Sequence, residues 1–160
     1  MEFDDRDQEM ARPAKVVVLD ASVLVKWFVE EKDTKIALKV RNDYENGILD
    51  IWSTQLMPFE VLNALRYSQD LGQDEIEKVG ESLARLQIAL YPLLDGNLRG
   101  ACIRLAFKYG LTVYDASYVA LARSIDKILY TADEKLYSKT SGKENVQLLA
   151  QYQIHKQNLI

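Results

Sequence analysis

Short, strongly apolar runs alternate along the chain with longer segments whose apolar residues recur at helical spacing. Val16-Val17-Val18-Leu19 is apolar throughout and stops at Asp20, which predicts a parallel strand buried on both faces. A short helix is expected over Ala21 to Val29, and a second over Thr34 to Asn46, ended by Gly47. Leu49 to Ser53 reads as the second strand. Pro58 suits the first turn of a helix running to about Asp70, with Gly72 ending it. The next helix is expected from Asp74, where Asp74 and Glu77 resemble a capping box, and Ile76, Val79, Leu83 and Leu86 form its apolar stripe.

Leu90 to Leu94, containing Pro92, predicts a third strand that is short or near an edge. Asn97 to Tyr109 shows the clearest helical face, built from Leu98, Ala101, Cys102, Leu105, Ala106 and Tyr109, with Gly110 as the stop. Asp115 to Arg123 predicts a helix whose small residues permit close packing on a sheet. Lys127 to Thr131 predicts a strand leading to Asp133, and Val146 to Ala150 the last strand. This alternation predicts an α/β sandwich with a mainly parallel sheet over residues 15–152, flanked by polar tails at 1–14 and 153–160.

Composition narrows the chemistry. A chain of 160 residues fits one domain with a genuine core. No apolar run approaches the roughly 20 residues that span a bilayer, and the polar, acidic N-terminus does not read as a signal peptide. Cys102 is the only cysteine, so no intrachain disulfide forms and a reducing cytoplasm is expected. With His155 the only histidine, in a polar tail, neither a Cys/His zinc site nor a Ser-His-Asp device is expected. Acid–base or metal chemistry must then rest on carboxylates. The net charge of −4 argues mildly against a nucleic-acid binder, unless the negative charge is concentrated where divalent cations sit.

Four carboxylates stand out, each with a plainer reading beside the functional one. Asp20 follows the first strand and precedes a helix, where Asp is also a favoured N-cap, although Ser22 could take that part. Ligands bind outside the carboxyl ends of strands in open α/β sheets, which favours a role for Asp20. Glu60 lies in a first helical turn and could simply complement the helix dipole. It shares a face with Asn63 and Tyr67, between Phe59 and Leu62 expected in the core, and such a face calls for a polar neighbour. Asp115 and Asp133 would each pass alone as caps.

Together they say more. In a three-layer α/β fold these four places converge on one edge of the sheet. At about 4 Å and an effective dielectric near 20, each like-charged pair costs roughly 4 kcal/mol. Such a cluster takes up protons, spreads apart, or is neutralised by a hard divalent cation. Mg²⁺ or Mn²⁺ would also activate water and screen an attacked phosphate, so phosphodiester hydrolysis is the natural chemistry.

The segments carrying these residues resemble a known family. Val18-Leu19-Asp20-Ala21-Ser22-Val23-Leu24-Val25, Glu60-Val61-Leu62-Asn63-Ala64-Leu65, Leu111-Thr112-Val113-Tyr114-Asp115-Ala116-Ser117-Tyr118-Val119-Ala120-Leu121-Ala122 and Leu129-Tyr130-Thr131-Ala132-Asp133-Glu134-Lys135-Leu136 follow the order and spacing of a PIN domain. Within that family they resemble the VapC toxins of prokaryotic toxin–antitoxin pairs. The resemblance implies a three-layer α/β/α sandwich with a four- or five-stranded parallel sheet. It implies a metal site of Asp20, Glu60, Asp115 and Asp133, supported by the hydroxyls of Ser22 and Thr131 and accompanied by Asn63. It further implies Mg²⁺- or Mn²⁺-dependent endoribonuclease activity, a homodimer and an inhibiting antitoxin.

Lys26 and Arg66 follow site residues on their helices and are candidate RNA contacts, with a solvated helix face as the equal alternative. The helices after Pro58 and Asp74 carry more apolar surface than one small sheet covers, which also suggests a homodimer. Competing readings are a PIN nuclease of RNA processing and a non-catalytic RNA-binding PIN protein. A phospho-receiver domain fits less well, because Asp20 has no acidic neighbour.

Overall fold

The computed structural model describes residues 14–68 and 71–153. The order of elements is β1 (Lys15–Leu19), α1 (Ala21–Val25), α2 (Thr34–Glu45), β2 (Leu49–Thr54), α3 (Met57–Arg66), α4 (Gln73–Arg85), β3 (Ala89–Tyr91), α5 (Gly96–Tyr109), α6 (Val113–Ser124), β4 (Leu129–Thr131), α7 (Glu134–Thr140) and β5 (Val146–Leu148). A 3₁₀ turn, Leu149–Gln151, follows β5. All four strand pairings are parallel, in the order β3-β2-β1-β4-β5. Val17, Val18 and Leu19 of central β1 are all fully buried, although successive side chains point to opposite faces. Both faces are therefore covered by helices, and the chain is the three-layer α/β/α sandwich that its pattern predicted.

Register decides where the site lies. Val18 pairs with Trp52 and Leu19 with Tyr130. Continuing each register by the pleat brings Asp20 level with Thr54 at the end of β2 and with Thr131 at the end of β4. Helix α6 packs on β1, β2 and β4 together, as its run of buried small residues, Ala116, Ser117, Ala120 and Ala122, allows. Gly47 and Gly110 end α2 and α5 with φ of 69° and 60°, the left-handed conformation that suits glycine.

Several boundaries differ from the expected ones. The α-helix after Asp20 stops at Val25, and Trp27 and Phe28 continue it with the shorter N–H···O bonds of 3₁₀ turns, to Leu24 and Val25. Helix α3 ends at Arg66, and the expected continuation to Asp70 runs into residues outside those described. Gly72 does not end α3; it is the N-cap of α4, and its N–H donates to Glu75 Oε2 at 3.1 Å. The expected Asp74–Glu77 capping box is thus replaced, two residues earlier at each end, by this single bond from the Gly72 N–H to Glu75. Pro92 confines the third strand to Ala89–Tyr91, at the sheet edge as expected. Helix α7 was not anticipated, because one buried turn, Leu136 to Thr140, is too short to show a period.

The apolar surface is also distributed differently. Val79 and Leu83 of α4 are buried, whereas Phe59, expected in the core, is 74% exposed. Exposed apolar side chains gather instead at Ile103 and Phe107 of α5 and at Val113 and Tyr114, where α6 begins. No helix among the described residues is long and apolar enough to cross a membrane. The tails at 1–13 and 154–160, with His155, lie outside the described residues.

Candidate active site

Asp20 occupies the N-cap position of α1 without making a side-chain cap bond. Its carboxylate turns instead to two hydroxyls. Ser22 Oγ donates to Oδ1 at 2.5 Å, and Thr131 Oγ1 donates to Oδ2. Both hydroxyls are themselves held by backbone N–H groups: Ala132 N donates to Ser22 Oγ at 2.8 Å and Asp133 N to Thr131 Oγ1 at 3.0 Å. Asp20 is 5% exposed. Burial outweighs these hydrogen bonds, and the nearby Asp133 charge adds to it, so the carboxyl is pushed up to about 6.

Asp133 is the N-cap of α7, its Oδ1 accepting from Lys135 N at 2.8 Å and Leu136 N at 3.1 Å. The plainer reading of Asp133 therefore holds, and it leaves Oδ2 free. Asp115 is not a cap. Thr112 takes that position in α6, its hydroxyl accepting from Asp115 N at 3.0 Å. The Thr112-x-x-Asp115 spacing is a helix-start signature that could have located this cap.

Glu60 lies half-buried in the first turn of α3. Tyr118 Oη, from α6, donates to its Oε2. Burial first, and then the charge of Asp115, raise the Glu60 carboxyl above its ordinary range against the lowering effect of that bond. The four carboxylates thus form two electrostatically coupled pairs, Asp20 with Asp133 and Glu60 with Asp115. Tyr118 links the pairs, because the charges of both Glu60 and Asp20 act on its hydroxyl. Among the described residues no three acidic, Cys or His side chains are drawn tightly enough to form a ready-made ligand cage.

The donor set nonetheless fits a hard cation. No described Lys or Arg lies within salt-bridge distance of any of the four carboxylates. Asp43, the other buried Asp, shows the contrast. It accepts from Tyr152 Oη at 2.8 Å and has Lys39 Nζ at 3.4 Å. Asp20 has hydroxyl donors and no countercharge. Thr54 Oγ1, at the end of β2, is buried beside the Tyr118 hydroxyl and makes no hydrogen bond of ordinary geometry among the described residues.

The remaining candidates are placed as follows. Asn63 is exposed on α3, a turn beyond Glu60. Arg66 is exposed, its guanidinium 5.9 Å from the ring of Tyr67. Lys26 is 8% exposed, and its Nζ donates to Glu31 Oε2 at 2.9 Å, so its charge already has a partner. Tyr118 and Thr54 were not singled out as site residues. A Tyr one turn after Asp115 on a helix of small residues was the available signal for the first.

Comparison with known proteins places the sequence and the fold. The PIN domain family matches residues 17–142. Ribonuclease VapC3 of Pyrobaculum aerophilum is 30% identical over 130 residues, which are 77% of this chain and 93% of that protein. A crystal structure of another protein from Pyrobaculum aerophilum superposes with a TM-score of 0.58 at 26% identity, covering 88% of this chain and 93% of that one. A toxin–antitoxin complex from Klebsiella pneumoniae contains a chain of the same fold, with a TM-score of 0.61 at 17% identity over 86% of this chain and 99% of that one. From its sequence match and its five-stranded parallel sheet, the chain belongs to the PIN domain family.

Proposed function

We propose that this protein is a metal-dependent endoribonuclease and the toxin of a VapBC-type toxin–antitoxin pair. The observation that carries the chemistry is the set of four carboxylates, with no cationic partner among the described residues, at the carboxyl ends of β1 and β4 and the starts of α3 and α6. Asp20, Glu60, Asp115 and Asp133 would hold Mg²⁺ or Mn²⁺. Such an ion supplies neutralising charge and lowers the pKa of water toward neutrality. Ser22 and Thr131 orient the Asp20 carboxylate, and Asp133 offers the oxygen that α7 does not use. The exposed Asn63 and Arg66 of α3 stand where a polynucleotide backbone could approach the site.

The toxin assignment draws on the likeness to VapC3 and on the fold shared with the Klebsiella complex. The partners are then RNA, a second copy of the chain and a cognate antitoxin. The test is incubation of the purified protein with linear and with covalently closed circular RNA. Cleavage of both in Mg²⁺, its loss in EDTA, and its loss in Asp20→Asn and Asp115→Asn are expected. Undiminished cleavage in EDTA rejects the metal mechanism, and cleavage confined to linear RNA rejects the endonuclease.

A further inference from the structure

Glu60 takes its orientation from a residue distant in the chain. Asp133 is fixed by the backbone of α7, and Asp20 by one hydroxyl in α1 and one at the end of β4. Glu60 has three side-chain torsions and is half-buried near an exposed helix face. Its only hydrogen bond from a described side chain comes from Tyr118, 58 positions away in sequence.

Tyr118 is placed to impose one orientation. Its ring is 2% exposed and packs in the core. It sits one turn beyond Asp115 on α6, so both residues lie on the same helix face. Its hydroxyl bonds Oε2 and leaves Oε1 without a hydrogen-bond partner among the described residues. Resting on the metal-dependent reading above, we propose that Tyr118 is a positioning residue: its hydroxyl fixes Glu60 through one carboxylate oxygen and so presents the other, with Asp115, to the divalent cation. Burial and the charges of Glu60 and Asp20 keep the phenol protonated, so it remains a donor throughout the physiological range.

The test is the affinity of the full chain for Mn²⁺ alone, measured by calorimetry or by the spin resonance of free Mn²⁺. Tyr118→Phe keeps the buried ring and removes only the donor. It is expected to weaken Mn²⁺ binding about tenfold, the lower end of what loss of a ligand's hydrogen-bond partner brings. Turnover falls with it while the KM for RNA stays unchanged. In a Glu60→Gln background the same substitution is expected to change Mn²⁺ affinity no further, because the effect passes through Glu60. Equal Mn²⁺ affinity in Tyr118→Phe and wild type overturns the proposal. So does an undiminished effect in the Glu60→Gln background, or a Tyr118→Phe protein that fails to fold, since either assigns the hydroxyl to the fold. A wild-type chain that binds no Mn²⁺ overturns this proposal together with the metal-dependent reading. Binding that depends on Asp115 but not on Tyr118 overturns this one alone.

Discussion

The hydroxyl oxygens of Ser22 and Thr131 stand 3.4 Å apart, and each gives its proton to a different oxygen of Asp20. The two are therefore neighbours without being partners. Each oxygen of a buried carboxylate thus accepts one bond, from residues near opposite ends of the domain, and keeps a further lone pair for a cation. Thr131→Val removes one of these donors while keeping the shape of the side chain. Hydrogen bonds to charged groups contribute about 1.5–3 kcal/mol, and a stability loss of that order at pH 7 is expected, with a fall in cleavage rate. Thermal melting beside an activity assay checks this. Unchanged melting would mean that Thr131 contributes nothing to holding Asp20.

Asp20 also sets a pH dependence. Its carboxyl rises from 3.8 to about 6 in the folded chain. Below pH 4 it is protonated in both folded and unfolded states and has no effect. Between about 4 and 6 only the folded state keeps the proton, so the contribution of Asp20 to stability declines as pH rises, and it levels off above 6. The decline amounts to about 3 kcal/mol. Denaturant unfolding in EDTA should show the stability of wild type falling relative to Asp20→Asn across that window. A difference that stays flat from pH 4 to 7 would contradict the buried, uncompensated carboxylate.

Much of this was readable in the chain. Val16 to Leu19 announced a strand buried on both faces, and the small residues after Asp115 announced a helix pressed onto the sheet. What was harder to read was which local group would satisfy each helix start, even where, as at Thr112, a spacing signal existed. Thr112, not Asp115, caps α6, and Gly72 begins a helix instead of ending one, because these choices depend on backbone direction outside the helix. Phe59 fits an apolar pattern and yet faces solvent, since tertiary packing, and not periodicity, decides which side of α3 meets α1 and α4. The Tyr118–Glu60 bond joins elements distant in sequence and leaves no local trace.

The expected homodimer can be tested at a specific place. Phe107 on α5 is 86% exposed, with Ile103 a turn before it and Val113 and Tyr114 beyond the end of the helix. Phe107→Glu is expected to convert a dimer to a monomer in sedimentation, with stability changed by no more than about 0.5 kcal/mol, as for ordinary surface substitutions. A wild-type monomer at micromolar concentration would reject the homodimer. A Phe107→Glu dimer would move the interface elsewhere.

Inhibition by an antitoxin should work through charge. Four carboxylates without a basic partner attract a guanidinium, whose planar fork bonds carboxylates in pairs. We expect the antitoxin to insert an Arg or Lys near Asp20 and Asp115 and to lay an apolar helix beside α3. Co-purification with the neighbouring gene's product, followed by Mn²⁺ titration, should show the two competing. Full inhibition with Mn²⁺ affinity unchanged would reject the idea.

The strand order has a consequence for the newly made chain. Strand β1 is among the first parts synthesised, but its neighbour β4 is among the last, and Thr131 and Asp133 leave the ribosome only after most of the domain. Until then Asp20 lacks one of its hydroxyls and its paired carboxylate. On the proposed metal-dependent reading, a nascent chain, or one truncated before β4, is expected to lack cleavage activity because its site is incomplete. The docking of β4 beside β1 is then the step that both extends the sheet and completes the set of four carboxylates.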